Sequence, residues 1–176
     1  MKPFCTSEIK QFWDDFSDKY QQNIESHTIP INFELYSLTQ AHRAESIIET
    51  GVGAGAAAHM FSTGLMSPSS SFVSTDISEA MIDKFLHKFK TTGYNGDDIS
   101  IEKFDNKSSE KLTVDFLRGV GNKGKRCIRV GTSDSEALPF EDHQFDVYIA
   151  NFSLNIVDDY MKMLSEARRV SIEINQ

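Results

Sequence analysis

The sequence predicts an α/β fold in which helices cover both faces of a largely parallel sheet. A glycine-dense turn joins an apolar strand to a helix, an acidic residue ends the next strand, and further strand-like and helical segments alternate behind them. With 176 residues, of which 39% are hydrophobic and 25% charged, the chain has the composition of one ordinary globular domain.

A helical lid or cap is expected over residues 1–44. Residues 6–22 repeat apolar side chains at three- and four-residue steps, which indicates an amphipathic helix. The stripe consists of Ile9, Phe12, Trp13, Phe16 and Tyr20. A linker containing His27 to Pro30 is expected next, followed by a second helix near Phe33 to Ala44.

The glycine-dense turn is the strongest indication of a ligand site. Glycines permit tight backbone turns and close approach of a ligand, and the helix N-terminus behind them offers free N–H groups. The spacing fits two patterns. Gly51, Gly53 and Ala56 match the dinucleotide pattern G-x-G-x-x-G/A, whereas Glu49 with Gly51, Gly53 and Gly55 matches E-x-G-x-G-x-G.

The second strand candidate, Phe72 to Thr75, ends in Asp76. A carboxylate in this position can accept hydrogen bonds from both hydroxyls of a ribose. Ser78 is a predicted N-cap for the helix that follows, and Met81 begins its apolar face.

Four ordered segments resemble the class I S-adenosylmethionine-dependent methyltransferases. They are the glycine turn, the D-x-S-x-x-M segment from Asp76 to Met81, the run Asp134 to Phe140 (D-S-E-A-L-P-F) with the F-D-V strand behind it, and the helix L-x-E-x-x-R-V ending at Val170. The resemblance covers residues 45–170 and is closest to the small-molecule group of quinone-biosynthesis, sterol and arsenite methyltransferases. It implies a Rossmann-like sheet and S-adenosyl-L-methionine as the cofactor.

The resemblance also implies the cofactor contacts. Glu49 and the glycine turn would hold the methionine end, Asp76 the ribose, and Asp134 with the Ser135 N–H the adenine. The predicted cofactor-binding residues are Tyr20, Glu49, Gly51, Gly53, Gly55, Asp76, Ile77, Met81, Asp134, Ser135 and Asn151. No catalytic residue and no metal ligand is assigned, because methyl transfer from a sulfonium needs neither a covalent intermediate nor a metal.

Two roles stay open for four apolar residues. Trp13 and Tyr20 have the spacing of a lid over the methionine end, or they belong to an aromatic stripe docked on the sheet. Leu138 and Phe140 lie near the adenine or in the core beneath it.

Asn151 follows the fourth strand candidate, Phe145 to Ala150, at the edge where open α/β sheets bind ligands. Methyltransferases of nucleobase amines have N/D-P-P-Y/F here. The sequence Asn151-Phe152-Ser153-Leu154 lacks both prolines, which argues against such a substrate.

Two segments depart from the family pattern. Residues 91–126 are polar and glycine-bearing, and we expect an insertion or long surface loop, with a short helix considered at Leu112 to Leu117. After Val170 the family continues with strands five to seven, whereas residues 171–176 form a short tail. A sheet of order 3-2-1-4, lacking strands five to seven, would leave strand four at an open edge, free to pair with a second copy or a partner chain.

Charge and composition exclude several classes. A net charge of −8 argues against nucleic acid as a partner. No segment approaches the roughly 18 apolar residues of a membrane span. Acidic residues near the N-terminus fit neither a secretory signal nor a transit peptide, so a cytoplasmic location is expected.

Three functions remain open. The chain is a methyltransferase of an unidentified small molecule, a truncated or degenerate cofactor-binding module without turnover that needs a partner, or an NAD-dependent Rossmann oxidoreductase. The last has only the glycine turn and Asp76 in its favour, and whether the chain is an active enzyme stays open.

Overall fold

The computed structural model describes residues 6–92, 98–105, 111–113 and 125–173. Its elements in chain order are α1 (Thr6–Asn23), α2 (Glu25–Leu38), a 3₁₀ turn (Ala41–Arg43), β1 (Ser46–Thr50), α3 (Ala56–Gly64), β2 (Ser71–Asp76), α4 (Glu79–Thr91), β3 (Ile99–Phe104), β4 (Arg126–Thr132), β5 (Val147–Ala150) and α5 (Tyr160–Val170). The five strands form one parallel sheet in the order β3-β4-β2-β1-β5. The predicted fold class is confirmed.

The central strands β1 and β2 are buried along their whole length. This burial is typical of a parallel sheet covered on both faces. One core cluster contains Tyr36, Phe61 and Phe85, which come from α2, α3 and α4. A second cluster contains Phe140, Phe145 and Val170, which joins the end of α5 to the sheet.

The second helix begins earlier than predicted. The segment His27 to Pro30, expected to be a linker, lies inside α2, which ends at Leu38. Pro30 cannot donate a backbone hydrogen bond to the carbonyl of Ser26. Ser26 and Pro30 are both exposed, so water can satisfy that carbonyl and the helix tolerates the proline.

The segment 91–126 is not solely a surface loop. It contains β3, which pairs with β4 in parallel and forms one edge of the sheet. The predicted strands 3, 2, 1 and 4 correspond to β4, β2, β1 and β5, and their expected order is preserved. Strand β3 is an additional strand outside β4. A short helix was considered at 112–117. Leu112 instead forms a β-bridge with Phe140, and residues 114–117 lie outside the described part of the chain.

Two motifs from the sequence have structural roles. The Arg169 guanidinium donates to the carbonyl oxygens of Leu138 and Phe140, and Glu166 Oε2 accepts from the Leu138 N–H at 2.7 Å. The L-P-F turn is thus held onto α5. Asp146 Oδ2 accepts from the N–H groups of Glu45 and Ser46 at 2.9 and 2.8 Å and so ties the start of β1 to the chain before β5.

Strand β5 forms the second edge of the sheet, as the sequence predicts for strand four. Beyond it, Phe145 and Ser171 form a single parallel bridge, and the Ile172 N–H donates to the Phe145 carbonyl at 2.9 Å. Within the described residues, no helix is long and apolar enough to cross a membrane.

Candidate functional site

A cavity of about 480 Å³ opens at the carboxyl ends of the parallel strands, with α1 and α2 on its other side. This volume lies within the roughly 300–1,000 Å³ typical of small-molecule sites, and the position is the usual one for ligands of open α/β sheets. Nine of the predicted cofactor-binding residues line it, namely Tyr20, Gly51, Gly53, Asp76, Ile77, Met81, Asp134, Ser135 and Asn151.

Asp76 organises the floor of the cavity. Its Oδ2 accepts from the Gly53 N–H at 2.8 Å and its Oδ1 from the Ser78 N–H at 2.9 Å. The carboxylate therefore ties the glycine turn to the start of α4, where Ser78 is the predicted N-cap and accepts from the Met81 N–H. Burial raises the pKa of Asp76 to about 6.

The glycines of the turn meet different neighbours. Gly53 has φ +61°, and a Cβ added there would lie 3.0 Å from the Tyr20 hydroxyl, so α1 comes close over the turn. Gly55 does not line the cavity. Its φ is +78°, and an added Cβ would lie 1.7 Å from Cδ2 of Phe85, so helix packing requires this glycine.

Glu49 also lies outside the cavity wall. The Tyr36 hydroxyl donates to its Oε2 at 2.6 Å, and Asn32 Nδ2 donates to its Oε1 at 2.9 Å. Asn151 Nδ2 donates in turn to Asn32 Oδ1. Burial raises the pKa of Glu49 to about 7, against the lowering effect of its two hydrogen bonds. Glu49 thus orients Asn32 and, through it, Asn151, both of which line the cavity.

At the far end of the cavity, Asp134 Oδ1 accepts from the Glu136 N–H at 2.9 Å, which shapes the turn after β4. The Ser133 N–H donates to the Asp76 carbonyl at 2.9 Å and fixes this turn beside β2. Leu138 and Phe140 are buried and do not line the cavity, so the structure assigns both to the core.

Part of the apolar stripe of α1 faces the cavity, whereas Phe12 and Phe16 do not line it. Trp13 and Tyr20 both line it, with their ring centroids 6.0 Å apart in an edge-to-face arrangement. Asp14 anchors the helix, because its Oδ1 accepts from the Ser78 hydroxyl at 2.7 Å and from the Ala80 N–H at 3.2 Å. This geometry agrees with the lid interpretation of Trp13 and Tyr20.

Sequence reasoning missed Glu25. This buried residue of α2 lines the cavity, and its Oε1 accepts from the N–H of Ala56, the first residue of α3, at 2.9 Å. Its Oε2 lies 3.1 Å from Lys88 Nζ. Nothing in its local sequence indicates this role, because the partners are 31 and more residues away.

The cavity wall is acidic. Four carboxylate residues line it, Glu25, Asp76, Asp134 and Glu136, and no Lys or Arg of the described residues does. Among the ranges that the structure describes there is also no group of three or more residues suited to hold a metal ion.

Comparison with known proteins gives a consistent result. Residues 108–173 match the family model described as a methyltransferase domain. The chain is 36% identical to the demethylmenaquinone methyltransferase of Staphylococcus saprophyticus over 78 residues. The matched segment covers 41% of this chain and 34% of that relative. The chain thus spans about a third of the curated relative.

Two solved structures share the fold. A candidate S-adenosyl-L-methionine-dependent methyltransferase of Methanococcus maripaludis is 17% identical, with a TM-score of 0.58 over 98% of this chain and 62% of its own. The [4+2]-cyclase SpnF is 12% identical, with a TM-score of 0.70 over 98% of this chain and 58% of its own.

Proposed function

We propose that this chain, which has the fold of the class I S-adenosylmethionine-dependent methyltransferases and a match to the methyltransferase domain family, binds S-adenosyl-L-methionine and transfers its methyl group to a small-molecule acceptor. The observation that supports this best is the acidic wall at the glycine turn, with the Glu25 carboxylate bound to the N-terminus of α3.

The hydrogen bond of Glu25 supports the methyltransferase pattern over the dinucleotide pattern. A dinucleotide places its pyrophosphate on the N–H groups of the helix behind the glycine turn. Here the Ala56 N–H is already bound to the Glu25 carboxylate, which also pairs with Lys88, so this donor is not free for a pyrophosphate. S-adenosylmethionine has a sulfonium, an ammonium and one carboxylate, so its net charge is positive and fits the wall. The oxidoreductase hypothesis is therefore disfavoured.

In this proposal, different residues of the cavity contact different parts of the cofactor. Asp76 would accept from the ribose hydroxyls, and Ile77, Asp134 and Ser135 would surround the adenine. Gly51, Gly53, Tyr20 and Asn151 would hold the methionine end, with Met81 packed beneath. Glu49 would act as a positioning residue through Asn32, because it does not reach the cavity.

Bound S-adenosylmethionine supplies an electrophilic methyl group on a positively charged sulfur. The chain needs to hold that methyl group in line with the acceptor and to exclude water, which is the main source of rate in such a transfer. The rigid strand ends hold the cofactor from below. Trp13 and Tyr20, which line the cavity on the α1 side, would cover the cofactor and keep water away.

A second candidate is a cofactor-binding module without methyl transfer. The likeness to SpnF, which is named for a cyclisation, shows that this fold also serves other reactions. The open edge of β5 favours a partner chain in this case, since an unpaired strand offers its backbone groups for pairing.

Calorimetric titration with S-adenosylmethionine, S-adenosylhomocysteine and NAD tests the proposal. We expect saturable binding of the first two and no binding of NAD. Binding of NAD alone would overturn the cofactor assignment. A methyl-transfer assay over candidate acceptors then separates the enzyme from the module without turnover.

A further inference from the structure

We propose, on the basis of the proposed function, that strand β3 braces the turn that binds adenine and so sets the preference of the site for this base. The adenine turn consists of residues 131–135, which contain Asp134 and Ser135. Glu79 and Phe104 act as positioning residues, because neither lines the cavity and each contacts this turn. The cofactor is then recognised in part through the segment 91–126, which departs from the family pattern.

Three strand ends meet at the adenine turn. In the parallel register, Gly131 of β4 lies beside Thr75 of β2 on one side and Phe104 of β3 on the other. Thr132, the last residue of β4, lies beside Asp76. The adenine turn therefore begins between the carboxylate assigned to the ribose and the end of β3.

Phe104 packs directly on the backbone of Gly131. The Phe104 side chain is buried, and a Cβ added to Gly131 would lie 2.7 Å from Cδ2 of its ring. The φ of Gly131 is not positive, so the close approach of the ring is what requires glycine here. The same ring meets Phe140 edge to face, with the centroids 5.9 Å apart. Phe104 thus fills the space between the start of the adenine turn and Phe140.

A single carboxylate joins β3, the adenine turn and α4. Glu79, the first residue of α4, accepts from the Thr132 hydroxyl with Oε2 and from Lys103 Nζ with Oε1. These hydrogen bonds, that of Lys103 first, lower the pKa of Glu79. Asp83 Oδ1 also accepts from Lys103, at 3.0 Å, so two carboxylates of α4 hold the end of β3. The Thr132 hydroxyl is thereby oriented by an ionised side chain outside the cavity.

The brace holds the side of the adenine turn that faces away from the ribose. On the ribose side, the Ser133 N–H donates to the Asp76 carbonyl at 2.9 Å. Asp134 is the next residue, so the position of its side chain in the cavity depends on both attachments. A hydrogen bond weakens steeply when its distance or angle changes. A small shift of the turn would therefore lower recognition of the adenine amino group.

A purely structural role for β3 has a different consequence, because it would lower the affinity of all ligands alike. A positioning role changes the preference between ligands that differ only at the base. Calorimetric affinities of S-adenosylhomocysteine and S-inosylhomocysteine, which has a carbonyl in place of the amino group, give this preference as a ratio. We expect the wild-type protein to favour S-adenosylhomocysteine by at least about tenfold. Equal affinities would overturn the proposal, because no preference would exist for the brace to set.

Two substitutions test the polar contact. Glu79→Ala and Thr132→Val each remove the hydrogen bond between α4 and the adenine turn, and each should lower the ratio at least about threefold. The double substitution should lower it no further, because both changes remove the same contact. Asp83→Ala is the matched control, since Asp83 accepts from the same Lys103 and no described hydrogen bond joins it to Thr132. An unchanged ratio in folded Thr132→Val, or an equal fall in Asp83→Ala, would overturn the proposal.

A second pair of substitutions tests the packing contact. Phe104→Leu opens space over Gly131 and should lower the ratio together with the melting temperature. Phe61→Leu changes a buried phenylalanine of the other core cluster and should lower the melting temperature alone. The same ratio in both variants would show that Phe104 stabilises the fold without positioning the turn.

Failure of this inference is distinguishable from failure of the proposed function. A wild-type protein that binds neither S-adenosylmethionine nor S-adenosylhomocysteine would refute the proposed function itself. If both bind and the substitutions leave the ratio unchanged, the cofactor assignment stands and the brace is refuted.

Discussion

Two buried carboxylates near the glycine turn differ in what surrounds them. Asp76 lines the cavity and accepts from two backbone N–H groups of the turn and of α4. Glu49 lies behind the wall and accepts from the neutral side chains of Tyr36 and Asn32. Neither carboxylate has a cation among these hydrogen-bond partners, and burial raises the pKa of both. Only Asp76 is placed to contact a ligand directly.

Replacement of Asp76 tests its direct contact. Asp76→Ala removes a charged acceptor for the ribose hydroxyls, so S-adenosylmethionine affinity should fall by about 1.5–3 kcal/mol, the range for hydrogen bonds to charged groups. Calorimetry measures the change, with a thermal melt to show that the variant is folded. Asp83→Ala, at an exposed position of α4, is the control. Unchanged affinity in a folded Asp76→Ala protein would refute the assignment.

Glu49 should make the stability of the ligand-free protein depend on pH. Its pKa rises from 4.5 in the unfolded reference to about 7 in the fold, so the native state retains a proton that the unfolded chain has lost. The free energy of unfolding should therefore fall as pH rises from about 4.5 to about 7, by up to roughly 3 kcal/mol. Asp76 adds a change of the same sign between its pKa values of 3.8 and about 6.

Denaturant titration across this range measures the effect. Glu49→Gln should remove the part of the slope between about pH 6 and 7, where Asp76 no longer contributes. Glu45→Gln changes an exposed glutamate in the same region and should keep the slope. An unchanged slope in Glu49→Gln would show that Glu49 is ionised in the fold.

At the scale of elements, carboxylates from α1 and α2 hold the two helices over the cavity. Asp14 binds the start of α4, and Glu25 binds the start of α3. Both positions are favourable, because a helix N-terminus has unpaired N–H groups and a partial positive charge. The lid thus rests on the two helices that follow the glycine turn and Asp76.

Trp13 is the one tryptophan of the chain and reports on this lid. Because it lines the cavity, S-adenosylmethionine should change its fluorescence emission. Asp14→Ala removes the anchor to α4 and should weaken cofactor binding and shift the emission of the ligand-free protein. Asp15→Ala is the control, since Asp15 accepts from Gln11 within α1 at an exposed site. Equal spectra of the two variants would contradict the anchoring role.

The sequence predicted the elements that have strong local patterns and missed those set by distant partners. The glycine turn, the Ser78 cap and the strand before Asp76 are encoded within a few residues, and each is observed. Strand β3 was missed because it is a half-exposed edge strand with polar Ser100, Glu102 and Lys103, so its apolar alternation is weak. Glu25 was missed because its role depends on Ala56 and Lys88, which only the fold brings close.

A pair of glycine substitutions tests whether helix packing requires Gly55, which precedes α3. Gly55→Ala should destabilise the protein by about 1–3 kcal/mol, because φ is positive and the new methyl group would overlap Phe85. Gly64→Ala should stabilise it by up to about 1 kcal/mol, since a Cβ there meets nothing within 4 Å. Thermal melts measure both. Equal effects would show that the turn adjusts around Phe85.

At the scale of the whole molecule, the β5 side of the sheet is less covered than its centre. Val147, Tyr148 and Ala150 are partly exposed in the edge strand. On α5, Tyr160, Met161 and Leu164 are 57%, 57% and 46% exposed. An open strand edge beside exposed apolar side chains favours association with another chain.

Sedimentation of the purified chain tests this expectation. We expect concentration-dependent self-association through the exposed residues of β5 and α5. The double substitution Met161→Lys and Leu164→Lys should lower the association. Leu65→Lys, at a 55% exposed position after α3, should leave it unchanged. A monomer at all protein concentrations would contradict association through the β5 edge.

The hydrogen bonds of Asp146 have a consequence for biosynthesis. Strand β1 leads into the glycine turn, yet the carboxylate that accepts from its first N–H group, at Ser46, lies 100 positions later. The β5 partner of β1 is equally distant in sequence. While the chain leaves the ribosome, β1 can pair with β2 early but stays open on its other side until β5 has emerged. The nascent cofactor site therefore remains incomplete until the residues of β5 have been synthesised and have paired with β1.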